Sequence, residues 1–230
     1  WGFSYGPIPL DKPGQFPNDD MMTEAMMAQW DSGGRRDLAT ISKMGAKIVR
    51  LYGNDPRFDG TKFLDLANSW GLKVIVGISD YPYSQQQGNC FGQPYPGLDC
   101  YDVVKQSYLT NLNKEGDMPV GHKGYLRRDN RNAPWRYHPA LDTLILINEP
   151  DLKIVENGGP KKNYMKAILS AFDGVLAAET AKGLDITSAD NIRFTVTFSY
   201  GTCPTCPNIL ELKQLGCCIP CFEYHEQGEP

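Results

Sequence analysis

Asn148, Glu149 and Pro150 stand directly behind an apolar run, Leu144-Ile145-Leu146-Ile147. A carboxylate at the end of a buried strand leaves the sheet partly desolvated. Such a setting raises a carboxyl pKa toward the working pH, which a general acid requires. The asparagine beside it can hydrogen-bond a substrate hydroxyl, and the proline fixes the turn that aims both side chains. Read alone, the tripeptide is also compatible with a strand ending in ordinary polar loop residues.

Further polar and aromatic residues follow other apolar runs. Arg50 and Tyr52 come after Ile48-Val49, Asp80, Tyr81 and Tyr83 after Leu72 to Ile78, Tyr5 after Gly2-Phe3, and Tyr200 after Ile192 to Phe198. Aromatic faces stack on the C–H faces of pyranose rings, and carboxylates accept hydroxyl hydrogen bonds. Arg50 could orient a carboxylate through a two-pronged contact. It could equally be a buried arginine paired with an acid. The aromatic loops could equally pack on themselves. Trp135-Arg136-Tyr137-His138 precedes the Glu149 strand, so a structural role is expected there.

The chain has seven cysteines. Cys90 and Cys100 bracket a short Pro/Gly-rich loop and could bridge it. Cys203, Cys206, Cys217, Cys218 and Cys221 crowd the C-terminal segment, 201–230. Cys203-x-x-Cys206 and Cys218-x-x-Cys221 come close to a zinc-ribbon spacing. Cys217 would then be spare, so disulfides are the expected reading, with no metal and no cofactor. Cysteine usage of this kind points to a secreted or cell-surface protein. No Asn-x-Ser/Thr sequon adds to that, and Trp1 reads as a processed or trimmed end. The net charge is -4. A mildly acidic chain lacks the field that attracts phosphate backbones, so nucleic acid is not an expected partner. No stretch approaches the ~20 apolar residues that span a bilayer. Ser-His-Asp order, P-loop, HExxH and dinucleotide fingerprints are also missing.

The elements that would position these residues alternate in type. Strands are expected at Gly2–Gly6, Lys47–Gly53, Leu72–Ile78, Thr143–Ile147 and Ile192–Phe198, with a sixth near Ile219 to Tyr224. Helices are expected at Asp31–Met44, Thr61–Trp70, Asp102–Asn113 and Lys162–Leu184. Strands apolar on both faces, alternating with amphipathic helices, imply a parallel sheet covered by helices. A doubly wound sheet and a (β/α)8 barrel both fit. The barrel is favoured because polar and aromatic residues gather behind the carboxyl ends of the strands. The expectation is one α/β domain over residues 1–230. A complete barrel takes about 250 residues, so two or three βα units are expected outside this sequence or on another polypeptide.

Four segments in register carry a family resemblance. Glycosidases of the large (β/α)8 clan with two catalytic glutamates carry Asn-Glu, often Asn-Glu-Pro, at the end of strand four. Phe3-Ser4-Tyr5-Gly6 resembles the first strand of β-1,3-glucanases of glycoside hydrolase family 17. Gly45 to Gly53 is similar to the second strand of that family and of the β-1,3-glucanosyltransferases of family 72. Leu72 to Gly77 resembles their third strand. The resemblance covers roughly residues 1–150 and implies a retaining mechanism on β-glucan. Glu149 would be the acid/base. Asn148, Tyr5, Arg50, Tyr52, Asp80, Tyr81 and Tyr200 would contact a polysaccharide or oligosaccharide. The family's nucleophile, a second glutamate ~5 Å away after strand seven, matches none of Glu223, Glu226 and Glu229. This chain as it stands is therefore not expected to turn over. The alternative is a non-catalytic structural or carbohydrate-binding extracellular glycoprotein built on the same barrel.

Overall fold

A computed structural model describes residues 1–6, 20–53, 55, 58–78, 80–92, 98–113, 123–150, 153, 164–187 and 191–198. Tyr200, the five cysteines from Cys203 to Cys221 and the expected sixth strand lie outside these. The described residues all belong to the compact unit formed by residues 1–199.

Five strands form one sheet: β1 (Gly2–Ser4), β2 (Ile48–Arg50), β3 (Lys73–Gly77), β6 (Leu141–Asn148) and β7 (Arg193–Thr197). All neighbours run parallel, and spatial order equals chain order. Among the described strands the order therefore runs in one direction across the sheet. Each parallel neighbour is reached by a helical crossover. The strands β3 and β6 bury Val74, Val76, Leu144, Leu146 and Ile147, as sheets covered on both faces do.

Five α-helices with described bounds accompany the sheet: α1 (Met27–Trp30), α2 (Asp37–Lys43), α3 (Thr61–Ser69), α4 (Tyr101–Asn111) and α5 (Tyr164–Ala181). The helix expected at Asp31–Met44 is shorter. Gly33 and Gly34 favour a turn, and Arg36 takes a left-handed conformation (φ 66°) just before α2. A two-stranded antiparallel ribbon, β4 (Leu126–Arg127) with β5 (Arg136–Tyr137), precedes β6. A single π-helical turn, Tyr81–Gln85, follows β3.

Helix α5 turns Ala167, Ala171, Gly174 and Ala178 inward. It approaches α4 closely at Gly174, where a Cβ would lie 2.6 Å from the Tyr101 carbonyl oxygen. Cys90 and Cys100 are joined, with Cα atoms 5.1 Å apart. The bridge ties the loop after β3 to the start of α4. A buried ion pair also joins segments distant in sequence. Lys123 and Asp20, 0% and 1% exposed, form an ion pair. Asp20 also accepts from the Met22 and Asp55 backbone N–H groups, at 3.0 and 2.8 Å. Lys123 Nζ donates to the Asp55 carbonyl at 2.9 Å. Hydrogen bonds beyond the ion pair, to the backbone around each charge, are what make such a dry pair tolerable.

Candidate functional site

The carboxyl ends of β2, β6 and β7 meet through one amide. Asn148 Oδ1 accepts from Arg50 Nη2 at 2.8 Å and from Thr197 Oγ1 at 2.7 Å. Asn148 and Thr197 are register partners across the β6–β7 ladder. Both acceptor sites of the amide oxygen are therefore used, which fixes which end of the amide is oxygen. The amide nitrogen is thereby assigned as the donor end of the group.

Arg50 is half-buried. Its guanidinium carbon lies 4.6 Å from the centre of the Tyr52 ring, a cation–π distance. Tyr52 itself is 52% exposed. Arg50 Nε is buried and has no hydrogen-bond partner among the described residues. The sequence offered two roles for Arg50, orienting a carboxylate of the site or pairing with a structural acid. Its partner among the described residues is neither; it is the Asn148 side-chain amide oxygen.

Glu149 follows the last residue of β6 at the carboxyl edge and is half-buried. Its backbone has φ 57°, a left-handed conformation that is uncommon for a residue with a side chain and costs roughly 1–3 kcal/mol. Pro150 behind it restricts the backbone further. Two hydrogen bonds hold the turn: Glu149 N–H donates to the Thr197 carbonyl at 2.8 Å, and Lys153 N–H donates to the Glu149 carbonyl at 2.9 Å.

Asp80, after β3, is gripped by Lys153, whose Nζ lies 2.6 and 2.5 Å from its two carboxylate oxygens. The ammonium thus occupies the carboxylate expected to receive sugar hydroxyls. Tyr81 is 57% exposed. Tyr5 and Tyr83 differ from the expectation of ligand contacts, because both are core side chains. Tyr5 is 3% exposed and its hydroxyl donates to Asp37 Oδ2 at 2.9 Å. Burial pushes its phenol far up, and the Asp37 carboxylate adds to that. Tyr83 donates to the Leu146 carbonyl at 2.5 Å and is likewise pushed up by burial. Thr197 and Lys153 carry contacts that motif reading missed. The available signals were a threonine closing a strand and a lysine one helical turn past Glu149.

Among the described residues no group of three or more His, Cys, Asp and Glu could hold a metal. No helix there is long and apolar enough to cross a membrane. No protein-family model, curated protein or solved structure matches the chain.

Proposed function

We propose that the protein is a carbohydrate-active (β/α)8-barrel protein of the retaining glycosidase kind, acting on β-glucan outside the cell. Glu149 is the acid/base in this reading. The observation that carries it is the Asn148 amide, whose oxygen is taken by Arg50 and Thr197. In this reading the amide nitrogen, the group's donor end, hydrogen-bonds a sugar hydroxyl, and Glu149 is the next residue in the chain. A strained backbone at a polar residue is also what binding and catalytic sites retain when the surroundings over-determine it.

Further support comes from the fold. Five parallel strands in chain order match the winding of a barrel, whose sites lie at the carboxyl ends of the strands. Arg50 and Asn148 end strands at that edge, and Tyr52, Glu149 and Asp80 follow strands there. Tyr52 and Tyr81, each more than half exposed, offer ring faces for a pyranose. The Cys90–Cys100 bridge suits an oxidising compartment.

In the proposed reaction Glu149 protonates the leaving oxygen, then deprotonates water or an acceptor sugar. The reading calls for a second glutamate as nucleophile and assigns that role to none of Glu223, Glu226 and Glu229.

The test is sugar release from laminarin-type oligosaccharides by the full-length protein and its Glu149→Gln variant. Loss of the proton donor should lower turnover by about 10²-fold or more. Equal release by both proteins would remove Glu149 from the role. Saturable binding without release by either would favour the non-catalytic carbohydrate-binding reading.

A further inference from the structure

A cleft opens at the amino ends of β3, β6 and β7, opposite the Glu149 edge of the sheet. Its volume is about 800 Å³, within the range of roughly 300–1,000 Å³ usual for small-molecule sites. Lys73, Arg127, Arg136 and Arg193 line it against two acids, Asp129 and Asp142. A basic surplus in a chain of net charge -4 is a local arrangement rather than a consequence of composition.

The arginines are held but not used up. Arg127 Nη1 donates to Asp65 at 2.7 Å. Arg136 Nη2 pairs with Asp129, and Arg193 Nη2 with Asp142. Each guanidinium carries five N–H donors, and each commits one nitrogen to its carboxylate. Their side chains are 52%, 52% and 69% exposed, so the remaining donors are open to a ligand. Lys73 Nζ spends one donor on the Pro139 carbonyl at 2.7 Å and has two more.

A buried strut stiffens this wall. The Ala140 N–H donates to His138 Nδ1 at 3.1 Å. In the neutral ring Nε2 therefore carries the proton, and it faces Asp65 Oδ1 at 3.2 Å. Burial holds the His138 pKa below its usual value against the pull of Asp65. The ring, 1% exposed, fixes Asp65, and Asp65 fixes Arg127. Preset guanidinium forks are what recognition of carboxylate or phosphate requires.

We infer that this cleft is a binding site for a small ligand bearing two or more oxyanion groups, separate from the Glu149 edge. The inference does not depend on the glycosidase reading. Uronates and phosphates share the required chemistry, so calorimetric titration uses digalacturonate in one arm and inorganic pyrophosphate in the other. Neutral cellobiose is the control ligand. At least one anion should bind saturably at one per chain and weaken as salt rises, and the arm that binds names the source. Arg136→Gln and Arg193→Gln should each weaken binding about tenfold. Lys43→Gln, on α2 outside the cleft, should leave it unchanged. Both arginines are exposed, and circular dichroism checks that the variants fold. If Arg193→Gln does not fold, Arg136→Gln decides. Absence of saturable binding in both arms, or wild-type affinity in the arginine variants, overturns the inference.

Discussion

Glu149 concentrates the tension between folding and chemistry in one residue. Its left-handed backbone would suit glycine better than any residue with a Cβ. Glu149→Gly should therefore raise the unfolding free energy by about 1 kcal/mol, the relief of strain outweighing the looser unfolded chain. The measurement is the urea midpoint. On the proposed function the same variant should lose sugar release, so stability and activity move in opposite directions. An unchanged or lower midpoint would mean that the turn is not strained. The sequence made Asn148 and Glu149 legible, because polar residues directly behind Leu144 to Ile147 stand out. It could not show Arg50 reaching Asn148 across 98 positions, since only strand order sets that distance. Nor could it show Tyr5 turning inward to Asp37, because a strand-end tyrosine looks the same whether it faces a cleft or the core.

At the scale of elements, apolar runs were the dependable signal. β3 and β6 fall within two residues of their expected bounds, because strands buried on both faces leave an unbroken apolar string. The ribbon of β4 and β5 gave no such string. Two-residue strands carrying Arg127 and Arg136 have no alternation to read. The α4–α5 contact was also invisible, because it depends on a missing side chain. At Gly174 a methyl group would sit against backbone atoms, the Tyr101 oxygen at 2.6 Å and the Lys105 nitrogen at 3.2 Å. Gly174→Ala raises helix propensity and yet should destabilise the protein by about 1–3 kcal/mol, because neither helix can yield locally. Thermal unfolding reports the sign. A stabilised variant would show that α4 shifts freely.

For the whole molecule, one buried carboxyl should shape stability against pH. Glu179 on α5 is 1% exposed and accepts a hydrogen bond from Tyr137, which in turn contacts Tyr108 at 2.8 Å. Burial raises its pKa, and the Tyr137 hydroxyl offsets part of that rise. A carboxyl whose folded pKa lies above its unfolded value favours folding while protonated. Its contribution is full below the unfolded value of ~4.3 and is lost as pH rises through the folded value. Glu179→Gln should keep the Tyr137 contact and flatten that decline. Denaturant midpoints collected from pH 4 upward compare the two slopes. Parallel slopes would exclude Glu179 as the source.

The sheet's order has a consequence for how the chain assembles. Every strand docks on the one made just before it in the sheet, so pairing can follow synthesis on the ribosome unit by unit. The crossing most distant in sequence between neighbouring sheet strands, β3 to β6, still needs only residues already emerged. Local pairing of this kind keeps loop-closure entropy small at each step. A nascent chain halted after Asn148 would already hold four of the five described sheet strands.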